Sequence, residues 1–173
     1  MTAILTNESS KTFNRVNGIW FITILTVGLL SEYLKLSLTG IYVFDIISNI
    51  VPSIDRVSSK SNYYHSLRIV WFYLLFSSPI VFWLRWKRTE INYESVNAIS
   101  WILFPIILFV SFSICFTGSV IWWVESIGTG SGRWALWFRE SLIGAILISG
   151  IFWYVFTEML LLLLKMLIHT LFK

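Results

Sequence analysis

This sequence predicts an all-α membrane protein: four transmembrane helices in a bundle, with a short interfacial helix in the first outer connection. Three observations lead there. Of 173 residues, 57% are hydrophobic and 13% charged, and the mean hydropathy is +0.76, which lies outside soluble composition. The apolar residues gather in four runs, at 16–34, 67–84, 98–123 and 141–164. No run alternates like a barrel strand, and lipid offers no partner to an open backbone, so helix is the expected state. The spans make one transmembrane domain of residues 1–173 and leave no soluble domain to house an enzyme.

The first run follows Lys11 and Arg15 and ends in Leu29-Leu30-Ser31-Glu32-Tyr33. It lacks a small-residue cleavage site and reads as an uncleaved signal anchor. At 1.5 Å rise per residue, the second run reaches about 27 Å and the fourth about 36 Å, enough to cross a core of about 30 Å, the longer one tilted. Pro79, after Ser77-Ser78, and Pro105 predict kinks where hydroxyls or neighbouring helices satisfy the freed carbonyls. In the first outer connection, Val43, Ile46, Ile47, Ile50 and Ile54 recur at helical spacing, Asp45, Ser48 and Asn49 take the other face, and Pro52 interrupts. That pattern predicts an interfacial helix. The second outer connection, 126–133, is a Gly/Ser turn leading into Trp134, Trp137 and Phe138. It lacks the Gly-Lys-Ser/Thr ending and preceding strand of a phosphate loop, so a plain turn is expected.

Orientation is read from Lys and Arg near the span ends. Lys11, Arg15, Arg85, Lys87, Arg88, Lys165 and Lys173 stand on one side, against Lys35, Arg56, Lys60, Arg68, Arg133 and Arg139 on the other. The numbers nearly tie, but the 85–97 loop packs three cations into four residues. That density places the loop and both termini in the cytoplasm. The net charge of +4 then reflects topology and contact with the lipid bilayer rather than a nucleic-acid footprint.

Side chains able to carry chemistry are few. Cys115 is the only cysteine and falls within the third span, which points to buried packing. His65 and His169 fall near opposite sides of the membrane, and no metal, cofactor or catalytic constellation is expected. Tyr63, Tyr64, Trp83, Trp86, Trp122, Trp123, Trp134 and Trp137 sit where spans end and read as aromatic belts, not as a stacking platform for nucleic acid. Glu158 lies within the fourth span, where a carboxylate costs up to about 3 kcal/mol on insertion scales. The five leucines at 160–164 offset that cost. Protonation, attraction to Lys165 or a partner protein would each accommodate it, while Arg68 is expected to snorkel to the outer interface. Ser141, Ala145 and Ser149 share one face of the fourth helix, a close-approach surface for internal packing or for a foreign helix.

Val51-Pro52-Ser53-Ile54, the Ser78-Pro79 step before Arg85-Trp-Lys-Arg88, and Pro105 followed by Cys115-Phe116 resemble the immunity proteins of the A-type pore-forming colicins. The resemblance covers mainly residues 50–116. It implies a bacterial inner-membrane protein that binds a pore-forming toxin domain through intramembrane helix contacts. Selectivity would then sit in the outer connections, at Pro52, Ser53 and Arg133, with Ser141, Ala145 and Ser149 as the helix-binding face. Two other readings stay open. One is an accessory subunit of a larger membrane complex, including a plasmid exclusion protein, and the other is a small channel or transporter using Glu158 and Arg68.

Overall fold

The computed structural model describes residues 7–38, 40–91, 98–118 and 132–172. The described elements are helical: α1 (Asn7–Tyr33), α2 (Tyr42–Ile50), α3 (Ser53–Ser58), α4 (Tyr64–Arg88), α5 (Ala98–Phe112) running into a π turn (Ser113–Thr117), α6 (Arg133–Glu140) and α7 (Leu142–Leu171). Three stretches are long and apolar enough to cross a membrane: Asn14–Tyr33, Tyr64–Lys87 and Leu142–Leu171. The third apolar run of the sequence gives a shorter helix, Trp101–Thr117. It stops at Gly118, whose φ of +64° is left-handed and ends the helical path. Residues 119–123 of the expected third span, Trp122 and Trp123 among them, and most of the Gly/Ser turn lie outside the described residues.

Side-chain bonds fix the helix directions. Ser66 Oγ donates to Glu32 Oε2 (2.6 Å), Tyr73 Oη to Thr23 Oγ1 (2.7 Å) and Trp20 Nε1 to Ser77 Oγ (2.9 Å). As positions fall along α1 they rise along α4, so the two helices are antiparallel. On the other side of α4, Trp71 meets Trp153 and Arg85 meets Thr157, so α4 and α7 run parallel. The start of α1 and the end of α7 therefore share one side of the bundle. The long α7 is central, packing on α1, α4, α5 and α6. Its layer with α1 and α4 is sealed by Ile24, Leu67, Val70, Trp71, Leu74, Ile146 and Trp153. Gly28 allows the closest approach, because a Cβ there would fall 2.2 Å from Ile146 Cδ1. The bundle is thus keyed by a residue without a side chain.

Several expected boundaries move. α4 continues past 84 through Arg85, Lys87 and Arg88, so these residues lie on a helix rather than in a loop. α7 extends to Leu171, and Ser141 is its N-cap, accepting from Gly144 N at 3.1 Å. Both prolines lie inside unbroken helices. Beside Pro79 the Ser78 hydroxyl donates to the Leu74 carbonyl, which is not the carbonyl that Pro79 frees, that of Leu75 four residues earlier.

The connection after α1, expected on the outer side, departs further from expectation. α2 forms, but its faces do not divide as expected: Ser48 is buried and Asp45 points at Arg68, beside Phe44 and Ile47 that pack on the core, while Val43, Ile46, Asn49 and Ile50 are exposed. After Pro52 a second short helix, α3, is buried at Ser53, Ile54, Val57 and Ser58. It seats on the end of α5. Ser53 Oγ donates to the Cys115 carbonyl (2.5 Å) and Arg56 Nη1 to the Thr117 carbonyl (3.0 Å). Helix ends leave carbonyls without intrahelical partners, so α3 caps the end of this short apolar helix. Gly118 is held against it, since a Cβ there would lie 3.1 Å from Ser53 Cα.

Candidate functional site

Two buried charge clusters stand at different depths along α4. In the one nearer the start of α4, the outer cluster along that helix, Arg68, 3% exposed, is ion-paired to Asp45 Oδ1 of α2 and Asp55 Oδ1 of α3, each at 2.9 Å. It also donates to Ser48 Oγ at 3.0 Å, and Tyr64 Oη donates to Asp55 Oδ1 at 3.1 Å. The expected snorkelling arginine is instead the bolt that holds the outer connection onto the bundle. The guanidinium explains why Asp45 and Ser48 turn toward α4.

The inner cluster centres on Arg85, 1% exposed, and Glu158, 4% exposed. Side chains on a helix lean toward its N-terminus, so Arg85 reaches back into the bundle, where Nη1 donates to Thr157 Oγ1 at 3.0 Å. Its guanidinium carbon lies 5.6 Å from the Trp20 ring centroid and 5.2 Å from that of Tyr154. Tyr154 in turn hydrogen-bonds the Glu158 carboxylate, which lies within the electrostatic field of Arg85. Opposite charges at one depth between α1, α4 and α7 account for a carboxylate in this span. Lys165, the expected attractor of Glu158, instead donates to the Thr89 carbonyl and closes the end of α4.

The two clusters do not join. Arg68 and Arg85 are about 25 Å apart along α4 by helical rise, and the fully buried Trp71 and Leu74 lie between them. A relay needs ionisable groups in succession. Each cluster acts as an electrostatic staple: the outer one joins α2 and α3 to α4, the inner one joins α4 to α7.

The residues expected to bind a partner are dispersed. Ala145 and Ser149 are buried within the protein's own bundle, so the small-residue face serves internal packing and is closed to a foreign helix. Ser141 is occupied as a cap. Ser53, fully buried, is likewise spent on an internal bond, and Pro52 is partly buried beside it. Only Arg133, at the start of α6, is exposed. The neighbouring Trp134 and Trp137 are exposed as well, stacked edge-on at 5.8 Å, while the far end of α6 is tied down by Asn62 N donating to the Arg139 carbonyl at 3.0 Å.

Arg85 is the residue that sequence reasoning missed. A signal existed: Leu67, Val70, Leu74, Ser78 and Val81 recur at helical spacing on the buried face of α4, and Arg85 is the next position of that stripe. Its place in a dense basic run hid it.

No protein-family model matches this chain, and no curated protein or solved structure shows significant similarity to it.

Proposed function

We propose that this chain is a four-span inner-membrane protein with both termini in the cytoplasm, and that it confers immunity by binding a pore-forming bacteriocin. α5 and its π turn, residues 98–117, count as the fourth span, since 20 residues rise about 30 Å. The burial of Arg68 and Arg85 withdraws one cation from each side of the charge count, so Lys87 and Arg88 still favour the cytoplasm for the termini.

One observation carries the immunity reading. The short segments that resemble the colicin immunity proteins lie far apart in sequence yet converge: Ser53 bonds the Cys115 carbonyl, and Ser78, Pro79 and Phe116 line one cleft. Charge clusters separated by the buried Trp71 and Leu74 suit a protein that recognises rather than one that conducts. A toxin arriving from outside meets α2 and α6, where Arg133, Trp134 and Trp137 are exposed.

The test is protection. Expressed in a sensitive cell, the chain should rescue it from one pore-forming bacteriocin and leave unrelated toxins lethal, and Arg133→Ala should weaken that protection while the protein still inserts. Failure to neutralise any pore-forming toxin would overturn the reading in favour of an accessory subunit of a membrane complex. An ion flux abolished by Glu158→Gln would favour transport.

A further inference from the structure

A cleft of about 320 Å³ runs along α4 from Leu75 to Phe82 and along α7 from Trp153 to Leu160, overhung by Phe116. Its two hydroxyls are already engaged. Ser78 donates to the Leu74 carbonyl, and Thr157 accepts from Arg85 while bonding the carbonyls of Trp153 and Tyr154. What faces the space is hydrocarbon, which excludes a polar ligand. An apolar slot running along two helices suits an alkyl chain.

Position identifies the kind of molecule. The cleft begins near the middle of α4 and runs toward the side that holds the start of α1 and the end of α7, the course of a lipid chain descending from its headgroup to the bilayer midplane. Beyond Phe82 the wall continues as Trp86, their ring centroids 5.7 Å apart, with Lys165 Nζ 5.3 Å from the Trp86 ring and Lys87 Nζ 4.1 Å from that of Trp83. Glu90 acts on Lys165 electrostatically, so the exposed Lys87 is the cation most available to a headgroup. Cations beside aromatic rings at the mouth of an apolar slot complement an anionic phosphate ester.

We propose that this cleft holds one acyl chain of an anionic phospholipid from the leaflet on the side of the chain termini, its phosphate at Lys87 and Lys165. The lipid splints the gap between α4, α7 and the end of α5. This assignment does not depend on the immunity reading.

Native mass spectrometry of the protein released from lipid nanodiscs tests it. From equal mixtures of phosphatidylglycerol and phosphatidylcholine, the wild type should retain one phosphatidylglycerol in preference. Leu160→Trp, which fills the slot, should abolish that retention. Lys87→Gln, at the surface and harmless to folding, should reduce the preference about fivefold, the worth of one interfacial cation. Equal retention of the two lipids by the wild type, retention of phosphatidylglycerol unchanged in a folded Leu160→Trp protein, or an undiminished preference in Lys87→Gln would each overturn the proposal.

Discussion

The Arg85 guanidinium donates to the Thr157 hydroxyl across the α4–α7 interface at 3.0 Å, one residue before Glu158. With the Tyr154 hydroxyl on Glu158 and the rings of Trp20 and Tyr154 around the cation, the charges are held together away from water. Arg85→Leu should therefore destabilise the protein by about 3 kcal/mol, because it leaves a buried carboxylate without its cation. Arg85→Leu combined with Glu158→Leu should recover most of that loss. Unfolding midpoints in detergent for the two single variants and the double variant check this, and strictly additive losses would contradict the coupling.

Ser53→Ala should lower stability by about 1 to 3 kcal/mol, the cost of removing the buried bond to the Cys115 carbonyl, and Arg56→Ala by less, about 0.5 to 1.5 kcal/mol, because its bond to Thr117 is exposed. The same detergent unfolding measures it. Ser53→Ala should also loosen the end of α5, raising the reactivity of the buried Cys115 toward a thiol reagent. Reactivity equal to wild type would show that α3 does not cover that end.

Ser149→Leu should destabilise by about 1 to 3 kcal/mol through overpacking, since Ser149 faces the interior of the bundle. Leu162→Ile keeps its volume and should cost less than about 1.5 kcal/mol. If both variants melt like the wild type, the face holding Ser149 is not tightly packed.

Reporter fusions after Arg88 and after Lys173 should both behave as cytoplasmic, because the cations Lys87 and Arg88 flank the end of α4. Periplasmic activity at either point would reverse the orientation.

Much of the fold was legible from composition. Apolar runs long enough to span a bilayer force helices, since the backbone has no other partner in hydrocarbon, and spacing put Ala145 and Ser149 on one face of α7, though not which way that face turns. The short helix at 42–50 was legible too, but not which way it faced. Hydropathy marks one apolar and one polar face. Whether the polar face meets water or a buried arginine depends on what lies beneath, and Arg68 sits 20 positions from Ser48.

What the sequence by itself determined is that this chain forms helices long and apolar enough to cross a membrane, because the free energy of placing residues in lipid is nearly a sum over residues. Pairing was decided only by the tertiary structure. Arg85 reads as a loop cation, Glu158 as a lone intramembrane acid and Ser53 as a surface contact until α4, α7, α3 and the end of α5 come together. A buried charge or an open carbonyl is tolerable only beside its complement, and that complement lies tens of residues away along the chain.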